Sequence, residues 1–91
     1  MSNINEKELE KVLKALANKR RVAILKYLKR VNTASVGDIA HEIKLSFRAT
    51  SRHLSVLFSA DVLEKEQSGL TVLYFISKVK HPIVSKLLTI I

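Results

Sequence analysis

Cysteine and tryptophan are absent from this 91-residue chain, which also has just two glycines and one proline. Without cysteine there is no disulfide, no thiolate metal site and no cysteine nucleophile, and the usage suits a reducing compartment. So little glycine and proline, with 47% hydrophobic residues, excludes a disordered or linker-rich chain. No apolar run approaches the ~18–20 residues of a membrane-spanning helix, and the opening Met1-Ser2-Asn3-Ile4-Asn5-Glu6 has no signal-peptide pattern. Acid is scarce too: eight Asp and Glu stand against sixteen Lys and Arg. There is no inward pair of carboxylates, no nucleophile–base set and no glycine-rich phosphate loop. The chain therefore reads as a non-enzyme without cofactor or metal. One cytoplasmic domain over residues 1–91 is the expectation.

What is present is positive charge. The formal net charge is +8 and the isoelectric point near 10.1. Such an excess favours polyanions, either nucleic acid or an anionic membrane surface. Residues 1–31 hold nine Lys and Arg against three Glu, so six of the eight net charges lie there. A membrane-surface role fits poorly, because the apolar faces are needed for a core. The apolar content is generous for so small a chain, and association is a common remedy, so a homodimer is expected.

Asn5 and Glu8 resemble a capping box opening a first helix, in which Leu9, Val12, Leu13 and Leu16 recur at helical spacing. Asn18 caps a second, whose Val22, Ile24, Leu25 and Leu28 cover so much of the circumference that it should form the centre of the bundle. Val31–Ala34 reads as a loop or a very short strand. Ser35 opens a short third helix, about Val36 to Ile43; Lys44-Leu45 is a tight turn, and Ser46 caps a fourth helix ending near Asp61. Two short helices joined in this way form a helix-turn-helix. Strand-like runs follow at Val62–Glu66 and Leu70–Ile76, joined by Gln67-Ser68-Gly69, which reads as a hairpin or wing. Tyr74 and Phe75 alternate there, one toward the core. Pro82 suits the first turn of a last helix carrying Ile83, Val84, Leu87, Leu88, Ile90 and Ile91, too wide an apolar surface for one small bundle to cover. The predicted fold is mainly α with a small β-hairpin: four helices, a winged hairpin and a fifth helix.

The fourth helix carries the chemistry. Ala49, His53, Val56 and Leu57 share one side, with Leu54 at its edge, while Phe47, Arg48, Ser51, Arg52 and Ser55 share the other. A major groove admits one helix, Arg reads guanine edges, and hydroxyls reach phosphates or bases. Ser46, Thr50 and Ser51 lie near the helix N-terminus, where phosphate is attracted. Lys44 in the turn, Lys65 in the wing and Arg20 on the second helix complete the candidate DNA contacts. A solvated basic face is the bland reading of the same residues. His53 is assigned a structural hydrogen bond, and His41 a plain surface position. His81 is read as a helix-start residue.

The strings Leu13-Lys-Ala-Leu-Ala-Asn-Lys-Arg-Arg-Val-Ala-Ile-Leu25, Ser51-Arg-His-Leu-Ser-Val-Leu57 and Tyr74-Phe-Ile76, in this element order, resemble the ArsR-type winged-helix repressors. The resemblance covers about residues 8 to 90. It implies a homodimer that binds palindromic operators and represses transcription, joined through its first and last helices. Leu9, Val12, Leu13, Ile83, Val84, Leu87, Leu88 and Ile91 would then form the dimer interface. Three departures stand out. Val36-Gly-Asp-Ile-Ala-His-Glu42 lacks the family's metal-binding cysteine, and the last helix offers only His81, against the four ligands zinc normally takes. Many relatives have an Arg after the wing glycine; here Leu70 follows Gly69, and Glu64 and Glu66 flank Lys65. Phe47 stands where relatives usually have a polar residue; it can meet a thymine methyl or pack on a neighbouring helix, and packing is the preferred expectation. Sequence-specific repression of a palindromic operator is the expected function. The alternatives are a non-specific architectural DNA binder and a winged-helix protein-interaction module.

Overall fold

Side-chain oxygens fix where the first four helices begin. In the computed structural model, which describes residues 5–91, the Asn5 side chain accepts from the Glu8 amide at 3.1 Å and opens α1 (Glu6–Leu16). The signal-peptide reading of Met1 to Ile4 lies outside the described residues. Asn18 accepts from the amides of Arg20 (2.9 Å) and Arg21 (3.1 Å) and opens α2 (Lys19–Val31). Ser35 caps α3 (Val36–Ile43) through the Asp38 amide, and Ser46 caps α4 (Phe47–Ser59) through the Ala49 amide. Each cap satisfies first-turn donors that no helical carbonyl can reach.

Helix α2 lies at the centre, touching α1, α3, α4 and the last helix, with Ile24, Leu25 and Leu28 buried. Ile39, Leu54, Leu57, Val62 and Leu63 complete the densest part of the core. The segment read as Val31–Ala34 resolves into a three-residue strand that starts two residues later and ends one later, Val31 closing α2: β1 (Thr33–Ser35) pairs antiparallel with β3 (Thr71–Ile76), which also pairs with β2 (Leu63–Ser68). The strand order is β1-β3-β2, so the short strand before α3 ties the helix-turn-helix to the wing.

The structure corrects two boundaries. The wing ladder continues to the pair Ser68↔Thr71, so its turn is the two residues Gly69-Leu70 and not Gln67-Ser68-Gly69. Gly69 has φ 62° while Leu70 does not enter the positive region, the φ pattern of a II′ hairpin turn that demands glycine first. The last helix, α5 (Pro82–Leu88), stops short of Ile91: the Thr89 hydroxyl donates to the Lys86 carbonyl (2.6 Å), and Lys29 Nζ donates to the Leu88 carbonyl (2.6 Å). His81 starts α5, its Nδ1 accepting from the Ile83 amide at 3.1 Å. Tyr74 is the inward residue of the aromatic pair on β3. No helix among the described residues is long and apolar enough to cross a membrane.

Candidate nucleic-acid interface

The turn between α3 and α4 sets how α4 is presented. Lys44 takes a left-handed conformation (φ 55°, ψ 51°), the Leu45 amide donates to the Ala40 carbonyl (3.0 Å) and the Lys44 amide to the His41 carbonyl (3.3 Å). This double closure ends α3 sharply. Arg20 supports the same end, its Nη1 donating to the Ile43 carbonyl at 3.1 Å. Three residues later α4 starts, held on its other side by α1, α2 and β2.

The face of α4 is turned from the one its apolar pattern predicts. Its buried stripe is Thr50, Leu54 and Leu57, with Leu54 at the centre and not at the edge, and Val56 is turned outward. Thr50 is 0% exposed, and its Oγ1 has no hydrogen-bond partner among the described residues. It therefore cannot touch DNA, which corrects its assignment as a contact. The reason is that α4 is packed on several sides at once, and a Thr methyl can be buried like a Val. Exposed toward the start of the helix are Phe47, Arg48, Arg52 and Ser55, with Ser51 half-buried beside them, and toward its end Val56, Phe58 and Ser59. The preference for packing Phe47 is also overturned: its ring is 62% exposed on this outer strip. Arg48 and Arg52 have no hydrogen-bond or ion-pair partner among the described residues.

Behind the strip, an arginine clamp locks the helix. Arg21 Nε donates to His53 Nδ1 (3.2 Å), and Arg21 Nη1 donates to the carbonyls of Lys14 (3.2 Å) and Ala15 (3.1 Å) at the end of α1. One guanidinium thus joins α1, α2 and α4. His53 accepts at Nδ1, so its neutral form carries the proton on Nε2. Burial, then the charges of Arg21 and Arg20, hold its pKa below the ordinary 6.5. The structural role assigned to His53 agrees with this geometry. Its partner was not foreseeable, because 32 residues separate the two.

Two of the three charged side chains of the wing strand β2 are tied to neighbouring elements. Glu64 Oε2 accepts from the Lys78 amide and lies within hydrogen-bond reach of the Ser77 hydroxyl, both at 3.0 Å. Those two donors hold its carboxyl below the usual range. It is thereby tied to the β3–α5 link at the base of the wing. Lys65 Nζ sits 4.5 Å from the centre of the Phe58 ring, a cation–π contact that draws it toward α4. Leu70 is fully exposed at the tip.

The dimer residues divide. Val12 and Val84 are buried in the protomer's own core, which removes them from the predicted interface. Leu13 is 44% exposed, Leu9, Ile83, Leu87, Leu88 and Ile91 are half-buried, and Ile90, which was not assigned to the interface, is 72% exposed.

A helix-turn-helix backed by a three-stranded wing, with free arginines on its second helix, is now in view. Residues 18–65 match the family model described as "Bacterial regulatory protein, arsR family". The chain belongs to the arsR family. Among its relatives, the transcriptional activator HlyU of Vibrio cholerae is 36% identical, with 81% of this chain and 74% of HlyU covered. The structure of reduced HlyU from Vibrio cholerae N16961 superposes with a TM-score of 0.80 at 31% identity, covering 94% of this chain and 86% of that one. A homodimeric winged helix-turn-helix DNA-binding domain from Mycobacterium bovis shares the fold, with a TM-score of 0.82 at 24% identity over 99% of this chain and 86% of that one. The protein is therefore a transcriptional regulator with a winged helix-turn-helix DNA-binding domain. Among the described residues, no group of three or more His, Asp or Glu is placed to hold a metal ion.

Proposed function

We propose that this arsR-family regulator binds a two-fold symmetric operator as a homodimer, with α4 of each protomer in a major groove. The observation that carries the reading is the outer strip of α4, where Arg48 and Arg52 are exposed and unpaired among the described residues while the rest of the helix is held from behind. Arg48 and Arg52 read base edges or phosphates, and Ser46, Ser51 and Ser55 supply shorter contacts. Lys44 and Lys65 lie on either side of α4 in the chain and meet the flanking phosphates. Arg20 and Thr50 are left out, the first held at the end of α3 and the second buried. One domain over residues 1–91 would both read DNA and dimerise. The exposed Leu13 and Ile90, with the half-buried Leu9, Ile83, Leu87, Leu88 and Ile91, offer apolar surface for the partner. The dimer axis then separates two half-sites by about one helical turn, ~34–36 Å.

Repression by operator occupancy is the sign of regulation the family resemblance implies. HlyU carries the opposite name, and a reporter with the operator over or upstream of the promoter separates the two outcomes. The founding test is selection from a random duplex library at near-physiological salt, with wild type and Arg48→Ala/Arg52→Ala in parallel. A two-fold symmetric motif, lost by the variant, is the expected result. Retention of DNA without a motif would make the protein a non-specific binder, and no retention would assign the domain to protein partners.

A further inference from the structure

We propose that Phe47 reads the C5-methyl group of a thymine, so that each operator half-site depends on one thymine facing the start of α4. The inference rests on the DNA-binding reading above and names what that surface selects. Phe47 is the first residue of α4, directly after the Ser46 cap, and is 62% exposed. It belongs neither to the buried core nor to the half-buried side chains packed against it.

Its surroundings select the occupant. With Thr50 turned inward, the exposed residues of the first half of α4 are Phe47, Arg48 and Arg52, with Ser51 half-buried, and Phe47 is the apolar one among them; the other exposed apolar residues of the helix, Val56 and Phe58, lie in its last turns, where Lys65 sits over the Phe58 ring. Leu13 and Ile90 lie on or beside α1 and α5, while Leu70 and Val79 belong to the wing tip and the β3–α5 link. The first turn of a recognition helix is the part that reaches base edges. A phenyl ring has no hydrogen-bond donor or acceptor with which to tell guanine from adenine or cytosine. The distinctive apolar feature of a base edge in the major groove is the thymine methyl, and Phe is suited to meet it. Arg48 and Arg52 follow on the same strip, and no acid occurs anywhere in α4, so the helix can be drawn close to the groove floor.

The experiment uses the full chain and the duplex that wild type enriches from the random library. Each thymine is replaced in turn by deoxyuridine, which removes the methyl and leaves every hydrogen-bonding group in place. Affinity is measured by fluorescence anisotropy for wild type and Phe47→Ala, with the melting temperature confirming that the exposed substitution leaves the fold intact. One position per half-site should weaken wild-type binding about fourfold, roughly the worth of one buried methyl group. The same replacement should leave Phe47→Ala unchanged. Deoxyuridine effects that are equal in both proteins, or absent at every position, overturn the proposal and leave DNA reading intact. Failure of wild type to enrich any motif overturns both.

Discussion

Arg20 and Arg21 on α2 are half-buried and end on backbone carbonyls, at Ile43 and at Lys14 and Ala15, whereas Arg48 and Arg52 on α4 extend into solvent. The two pairs have the same charge and reach. What separates them is their neighbours. The last turns of α1 and α3 leave carbonyls without helical donors, and the start of α2 lies close enough to supply guanidinium N–H groups to both. Among the described residues nothing accepts from the Arg48 or Arg52 side chain, so both keep their donors open to solvent. Among these four arginines, the two that reach a helix C-terminus are tied into the fold and the two that do not are left open to solvent.

The contrast is tested most strongly at α4. Arg48→Ala combined with Arg52→Ala should cost about 2–6 kcal/mol of operator binding, at about 1–3 kcal/mol for each base-reading arginine. Its melting temperature should match wild type, and a large drop in stability would erase the distinction between the pairs. Arg21→Ala should do the reverse. Losing the charged hydrogen bonds to the end of α1 and to His53 should cost about 1.5–3 kcal/mol of stability. For a domain of this size that is roughly 6–24 °C in a thermal melt.

A smaller effect follows from pH. His53 has a pKa below 6.5 in the folded chain, so as pH falls the unfolded chain takes up its proton first. Stability from this group is complete above about pH 6.5 and is lost as pH falls through that value toward the folded pKa. The urea midpoint should therefore fall between about pH 7 and pH 5.5, and fall less in Arg21→Ala, where one of the opposing charges is gone. The smallest change is expected of Thr50→Val. Replacing a buried, unpaired hydroxyl by a methyl should leave DNA affinity unchanged and alter stability by about 1 kcal/mol or less, toward greater stability. A clear loss of DNA affinity would return Thr50 to the interface.

Local signals were the ones that could be read. The Asn5, Asn18, Ser35 and Ser46 caps, the bounds of α3 and the start of α4 each depend on a few neighbouring residues, and each was legible in the chain. Properties set by distant partners were not. The pairing of β1 with β3 and the clamp from Arg21 to His53 have no local signature. The orientation of α4 misled for a different reason: counting apolar residues treats Thr50 as polar and Val56 as core, while packing from several sides buries the first and releases the second. Of the residues proposed for the outer face of α4, Arg48, Arg52 and Ser55 are exposed as expected, Thr50 is buried, and Phe47 is exposed where packing was expected.

Glu64, Lys65 and Glu66 lie on β2, one of the two outer strands of the sheet, while the other outer strand, β1, has three residues. An exposed strand with open amides and carbonyls invites another chain to add to it, and alternating charges or extreme shortness are what discourage this. The acids that look unhelpful beside phosphate thus have a use away from DNA. Charge alternation along β2 and the shortness of β1 are what this sheet sets against pairing of its open edges with another chain.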